Sequence, residues 1–308
     1  MVYMYNFDKE IKMLNFRKAV AIVLDKYPGP LITRYALALI IARLATEKTL
    51  RGEVVDIRIR SGIDNKFVQN KIKMLCNAGV IHEEADFPKN RVYRIWGRKA
   101  RNPGEAACCV DPFCFLSHIS AMAYHGITDR MPSIVQLSAP GPTDWRKFAD
   151  ERMRRDFAGL DVSRENFPKL ERVGFYRIQG HPIRFYSTSH PGAFKTVPDS
   201  PLRVATLGRT FLDMLRQPKL CGGIRHAVDV YREYAESYLK LIVEEVDRNG
   251  TAIEKVRAGY LLEEVCGLEH EKIEGWRQFV QRGGSRKLDP NEAYGSEYSE
   301  KWCLSINI

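Results

Sequence analysis

The stretch DNKFVQNKIKMLCNAGVIH, Asp64 to His82, decides how the first third of this chain is read. Asp64 has the short polar side chain of a helix N-cap, able to accept from N–H groups that the first turn leaves without a partner. From it a helix is expected to Asn77, closed by Gly79. Phe67, Val68, Ile72 and Leu75 recur at the spacing of one buried face, while Asn65, Lys66, Gln69, Asn70 and Lys73 point mostly away from it. Beyond Gly79, Val80-Ile81-His82 and Val92-Tyr93-Arg94-Ile95-Trp96 alternate like strands around a polar loop carrying Lys89, Asn90 and Arg91.

Upstream, Thr33 caps an expected helix to about Glu47, with Leu37, Ile40, Ile41 and Leu44 at i, i+3, i+4 and i+7. An amphipathic stretch, Phe16 to Tyr27, precedes it and stops at Pro28-Gly29-Pro30. Gly52 breaks the chain. Val54, Val55, Ile57 and Ile59 then lead into a short turn at Ser61-Gly62-Ile63. Helix, turn, helix and a hairpin with a basic tip follow the winged-helix plan. Such modules also serve protein–protein contacts, so charge has to decide between the two uses.

Residues 1–101 hold 20 Lys and Arg against 10 Asp and Glu, and residues 102–308 hold 28 against 28, so the whole net charge of +10 lies in the first third. A basic head on a neutral body points to a polyanion partner for the head. A helix fits the major groove of B-DNA, where Asn65, Lys66, Gln69, Asn70 and Lys73 are the candidates for base edges. Arg58, Arg60, Lys71, Lys89, Arg91 and Arg94 are the candidates for phosphate, holding register without reading sequence. Binding of this kind falls steeply with ionic strength.

Residues 1–100 are therefore expected to form a winged helix-turn-helix domain with an N-terminal helical extension. Residues 101–110 are expected to form a linker, since Gly97 to Glu105 (GRKARNPGE) is short, basic and rich in Gly and Pro. The body, 111–308, reads as α+β. FLSHISAMAYHG, Phe115 to Gly126, is a helix stopped by glycine, and SIVQLSAP is a strand. A mostly polar region from Asp144 to Asp156 carries Arg146, Lys147, Arg152, Arg154 and Arg155. Val173 to Ile178 and Ile183 to Ser187 are two strands meeting at Gly180-His181-Pro182. From Arg203 the period turns helical, with Leu207, Phe211, Leu212 and Leu215 on one face. Gly222-Gly223 opens a further helix through Val228, Val230 and Tyr231; Tyr238 to Val246 and Ile253 to Val265 complete a small mixed sheet with helices and a C-terminal helical bundle.

Other classes find little support. The longest apolar stretch, Tyr35 to Ala42, is too short to span a bilayer and reads as a buried helix; no secretory signal is visible, and seven cysteines without framework spacing suit a reducing cytoplasm. Cys108, Cys109, Cys114, His118 and His125 invite a metal reading, but no CxxC pair exists, so neither metal nor cofactor is expected. GGSRKLDP, Gly283 to Pro290, lacks the second acid that nucleotidyl transfer needs. Asp156, Glu165 and Lys169 form a poor nuclease motif, because Glu165 precedes Phe167-Pro168 rather than lying on a strand. No P-loop, dinucleotide fingerprint or nucleophile elbow is present. Trp276 and Trp302 read as core or interface aromatics.

Three stretches of the body together resemble the AbiEi family: LSHISAMAYHGITDRMPSIVQLSAP (116–140), VATLGRTFLDMLRQPKLCGGIRHAVDVY (204–231) and KVRAGYLLEEVCG (255–267). Members are antitoxins and transcriptional regulators of type IV toxin–antitoxin, abortive-infection modules. The resemblance covers roughly Thr33 to Gly267. It implies an N-terminal winged helix joined to an antitoxin domain, autorepression through inverted repeats in operator DNA (as a homodimer or as two monomers on adjacent half-sites), and action against a nucleotidyltransferase-like toxin from the same operon. Ser120, Ala121, Tyr124, His125 and Gly126 match one family signature; Arg209, Leu212, Asp213, Gly222 and Gly223 match a second. These residues read as architectural: Ala121 allows close packing, Gly126 stops a helix, and Arg209 and Asp213 stand at i, i+4 and can pair. The extension before Pro30 and the arginine-rich stretch 146–155 depart from the family pattern. A metal-dependent nuclease with a winged-helix targeting domain and a plain winged-helix repressor are the alternatives.

Overall fold

Caps set the boundaries of the first helices. The computed structural model describes residues 13–59, 62–190, 192–281 and 286–308. Two compact units divide the chain: Met1–Asn102 with Cys109–Pro112 and Pro142–Phe175, and Pro103–Cys108 with Phe113–Gly141 and Tyr176–Ile308.

The first unit begins with β1 (Met13–Asn15) and α1 (Phe16–Asp25), where the Asn15 side chain accepts from Arg17 N–H. After β2 (Leu31–Thr33), Thr33 caps α2 (Arg34–Glu47), accepting from Ala36 N–H at 3.2 Å. A two-residue turn at Arg51-Gly52 then joins β3 (Thr49–Leu50) to β4 (Glu53–Asp56), and β1 lies parallel to β4. The sequence shows Gly52 only as a break, yet a tight turn between short β-forming runs is a hairpin signal. Asp64 caps α3 (Asn65–Asn77) by accepting from Phe67 N–H at 2.8 Å, as the sequence predicts. Val68, Ile72 and Leu75 are buried and Phe67 is half-buried. The hairpin strands β5 (Ile81–Glu83) and β6 (Val92–Ile95) complete a three-stranded sheet in the order β2-β6-β5, antiparallel throughout.

The apolar run Tyr35 to Ala42 reads as a buried helix, and Tyr35, Leu37, Ala38, Leu39, Ile41, Ala42, Leu44 and Ala45 of α2 are all buried, so the helix is covered on nearly every side. Part of that cover comes from far along the chain. The Tyr35 hydroxyl donates to Asp156 at 2.9 Å, and its ring meets Phe157 edge-on at 6.3 Å.

The expected linker instead forms a helix from Pro103 onward, α4 (Pro103–Val110). Proline suits a first helical turn, and Ala106, Ala107 and Cys108 are buried, so packing overrides a linker-like composition. In the second unit β7 (Phe115–Leu116), α5 (His118–His125) and β8 (Val135–Pro140) follow, with Gly126 ending α5 at φ +68°. The polar stretch 144–156 proves to be helical: α6 (Pro142–Asp156) belongs to the first unit and buries Trp145 and Ala149, one turn apart. Trp145 donates to both oxygens of the buried Asp111, at 3.1 and 3.2 Å. Phe175, at the end of this segment, meets Phe87 at 5.2 Å. Residues 142–175 therefore pack with the head, although sequence order groups them with the body.

The second unit contains a six-stranded mixed sheet, order β11-β12-β7-β8-β10-β9, against which α5 packs. Its remaining strands are β9 (Arg177–Ile178), β10 (His181–Thr188), β11 (Phe194–Thr196) and β12 (Arg203–Ala205). The expected hairpin exists, but its turn is Gln179-Gly180 and only two residues of 173–178 are strand. β10 runs parallel to β8 across six residue pairs. α7 (Leu207–Arg216) follows β12, and one 26-residue helix, α8 (Ile224–Asn249), spans what the sequence divides in two. α9 (Ala252–Gly259) opens on a Thr251–Glu254 capping box, and α10 (Glu271–Gly275) follows. The chain ends in a hairpin, β13 (Glu297–Ser299) with β14 (Leu304–Ile306), and not in the helical segment expected. Trp276 and Trp302 are both core residues, 1% and 0% exposed. Among the described residues no helix is long and apolar enough to cross a membrane. The α+β class holds.

Candidate nucleic-acid interface

Four of the five candidate base-reading residues of α3, Asn65, Lys66, Asn70 and Lys73, are exposed, and Gln69 is half-buried. The same periodicity that buries Val68, Ile72 and Leu75 brings these polar groups to the other side of one rigid helix. Asn65 is already engaged. Its N–H donates to the Asn166 carbonyl at 2.7 Å, and its side-chain oxygen accepts from Arg34 at 2.8 Å. That leaves Lys66, Gln69, Asn70 and Lys73 as the open part of the row.

The phosphate candidates divide more sharply. Arg58 and Lys89 are exposed. Arg60 lies outside the described residues. Arg91 is ion-paired with Glu171, and Arg94 approaches Glu84 at 3.9 Å, so each already has a carboxylate neighbour. Lys71 turns inward, its ammonium lying 4.8 Å from the Phe16 ring centroid and 5.3 Å from that of Phe67. Burial pulls its pKa down against the opposing charge of Asp56. A lysine resting beside two aromatic faces ties α1 to α3 and is less open to solvent than the polar row beside it.

Beside the starts of α2 and α3 and the turn at Lys89–Arg91 lies an open cavity of about 520 Å³, also lined by Glu165 to Glu171 and Val173. Asn90 adopts φ +60° at this turn, a conformation asparagine tolerates well. Arg34 and Lys169 line the cavity too. Arg34 was not visible as a site residue in the sequence, since it follows a helix cap and looks like any surface arginine; Lys169 stood out only within the weak nuclease motif, about a hundred residues from α3.

In the second unit the residues of the two signature stretches hold structural positions. Ala121 is fully buried, and Ser120 accepts from Gln136 N–H at 2.9 Å, joining α5 to β8. Tyr124 is 48% exposed beside His125, whose Nε2 bonds the Ala205 carbonyl at 2.7 Å. Burial lowers the His125 pKa; the Ala205 hydrogen bond opposes this, while nearby Lys195 adds to it. Both residues line a second cavity, of about 440 Å³, with Leu207, Gly208 and Leu241. Arg209 and Asp213 pair at 2.7 Å. Gly222 and Gly223 adopt φ +91° and +94°, and a Cβ on Gly222 would lie 2.7 Å from the His226 ring, so the motif demands glycine there.

The other candidate clusters are dispersed among structural roles. The Cys108 and Cys114 thiols stand 4.0 Å apart, and Arg203 donates to the carbonyls of both residues. Among the described residues no group of three or more His, Cys, Asp or Glu is arranged to hold a metal ion. Asp156 is held by Tyr35 and by Arg152, while Glu165 sits outside any strand. Of GGSRKLDP, residues 283–285 lie outside the described part; Asp289 is buried and accepts from Asn291 N–H at 2.8 Å.

No protein-family model matches the sequence, and no curated protein matches it. Among solved structures the chain is similar to the crystal structure of the RV2827C protein from Mycobacterium tuberculosis, at 11% identity and a TM-score of 0.46, over 93% of this chain and 89% of that one.

Proposed function

We propose that the protein is a DNA-binding transcriptional autorepressor and antitoxin. In this reading the first unit is a winged helix that docks α3 in the major groove of operator DNA with inverted repeats. The body counteracts a nucleotidyltransferase-like toxin from the same operon, and the protein acts without enzymatic activity of its own. Two copies on the two half-sites match the symmetry of such an operator.

One observation carries the DNA-binding part: the surplus charge follows the fold. The first unit, including the recruited residues 142–175, holds 28 Lys and Arg against 18 Asp and Glu, and the second holds 20 against 20. The strand order β2-β6-β5 behind α2 and α3, and the open row Lys66, Gln69, Asn70 and Lys73, support the same reading. The antitoxin part is supported by the AbiEi resemblance alone.

Mobility shift on DNA from upstream of the reading frame, against an unrelated duplex at two salt concentrations, tests the regulator. The upstream duplex is expected to bind more tightly, and binding to weaken as salt rises. Lys66→Ala with Gln69→Ala should erase the preference and keep weak general affinity. Binding indifferent to both sequence and salt refutes the regulator. Co-expression with the product of a neighbouring nucleotidyltransferase-like gene tests the antitoxin, restored growth being the expected result and continued arrest the refuting one.

A further inference from the structure

Residues 142–175 are stapled to the head at several independent points. The Asn166 carbonyl takes the first N–H of α3 at 2.7 Å, the Tyr35 hydroxyl donates to Asp156 at 2.9 Å, Arg91 pairs with Glu171, and Phe175 meets Phe87 at 5.2 Å. The segment thus forms one fixed wall of the 520 Å³ cavity beside the start of α3 and the hairpin turn.

The charges around that cavity are unbalanced. Arg91 and Glu171 neutralise each other as an ion pair. Remaining on the lining are Arg34, Lys89 and Lys169 against a single acid, Glu165. Lys89 and Lys169 are exposed, and among the described residues neither makes an ion pair. Arg34 is held in place by its bond to Asn65 and has further N–H donors to offer. Three cations converging from three separate parts of the chain onto one recess, with one acid to offset them, suit a phosphate group.

We infer that the segment 142–175 is a working part of the duplex-docking face, and that the cavity seats a backbone phosphodiester between Lys89, Lys169 and Arg34. The inference rests on the DNA-binding reading and deepens it. It brings into the interface a lysine about a hundred residues from α3, and it assigns the phosphate contact of the hairpin turn to Lys89, Arg91 being occupied. Such a seat fixes register without reading bases.

The test uses the full chain, fluorescence anisotropy with labelled upstream and unrelated duplexes, and a series of sodium chloride concentrations. Lys89→Gln with Lys169→Gln is expected to weaken binding to both duplexes alike, by roughly tenfold, the worth of one charged hydrogen bond. The salt slope should fall by about one, the mark of one lost phosphate contact. Glu165→Gln, which removes the opposing acid, should tighten binding about two- to threefold. Both changes lie at exposed positions, and unchanged thermal melting confirms that the fold is intact. Sodium pyrophosphate at matched ionic strength separates the two sources of phosphate. If it displaces duplex from the wild type more readily than from the double variant, the seat takes any phosphate. If it displaces neither while the slope change holds, the seat takes the duplex backbone alone. Unchanged affinity and slope in the double variant overturn the seat and leave the DNA-binding reading standing. A wild-type chain that binds neither duplex overturns both.

Discussion

Arg209 Nε donates to Asp213 Oδ1 across 2.7 Å one turn along α7, with the two side chains only 4% and 2% exposed. The guanidinium goes on to donate to the His190 carbonyl at 2.9 Å and to Thr188 Oγ1 at 3.2 Å, joining the helix to the end of β10. Among the described residues the second Asp213 oxygen is buried without a hydrogen-bond partner, so the charge leans heavily on this cation.

Removing either member leaves the other charge buried alone. Asp213→Ala and Arg209→Ala are each expected to cost about 3–5 kcal/mol. Arg209→Met with Asp213→Leu should cost much less than the two single changes added together. Urea denaturation of the four proteins measures this; additive losses would show that the pair is not coupled.

Lys71 separates packing from phosphate binding. Lys71→Gln removes the cation between Phe16 and Phe67 and should lower the stability of the first unit by about 0.5–2 kcal/mol. The salt slope of DNA binding should stay unchanged. A reduced slope with an unchanged melting temperature would return Lys71 to the phosphate contacts.

Gly259 lies where no side chain fits, since a Cβ there would come within 2.1 Å of the Trp302 ring. That ring is fully buried and its N–H donates to Glu263 at 3.0 Å, so it has no room to retreat. Gly259→Ala is expected to destabilise by about 1–3 kcal/mol, as overpacking does. Thermal melting reads the effect, and a variant as stable as the parent would mean the terminal hairpin can shift.

His118 should make the protein acid-sensitive. Chiefly through burial its pKa lies below the usual value; Asp213 and the Gln217 hydrogen bond act the other way, and Arg209 adds to the lowering. The ring is fully paired when neutral, Nε2 to Gln217 Oε1 at 2.7 Å and Nδ1 to Ser117 Oγ at 2.8 Å. The unfolded chain takes up this proton near pH 6.5 while the folded chain resists it, so stability is full above about pH 6.5 and declines as pH falls below it. Melting temperature against pH should show the decline, and His118→Gln should flatten it. His125 and His226, also lowered by burial, contribute in the same direction.

The elements read correctly in advance share one property: their signals lie within a few residues of each other. Asp64 caps α3 and Thr33 caps α2, Gly126 ends α5, and the i, i+4 pair of Arg209 and Asp213 forms as the spacing suggests. Misreadings arose where a distant partner outweighed local composition. Glycine- and proline-rich GRKARNPGE becomes helical from Pro103 because Ala106, Ala107 and Cys108 find a core. Lys71 falls near the polar row of α3 by sequence, but Phe16 of α1 draws it inward. Arg91 and Arg94 read as free cations because their partners, Glu171 and Glu84, do not reveal themselves by spacing.

By itself the sequence determined where helices start and stop, which face of α3 is polar, and that all the surplus charge belongs to the head. Capping, amphipathic period and charge count are properties of neighbouring residues. Only the tertiary structure decided that residues 142–175 join the head, that a 520 Å³ recess forms beside α3, and which cations around it remain unpaired. Those outcomes depend on Tyr35 meeting Phe157 and Phe87 meeting Phe175 across long stretches of chain. Such contacts are selected by the global burial of apolar surface, which leaves no local pattern to read.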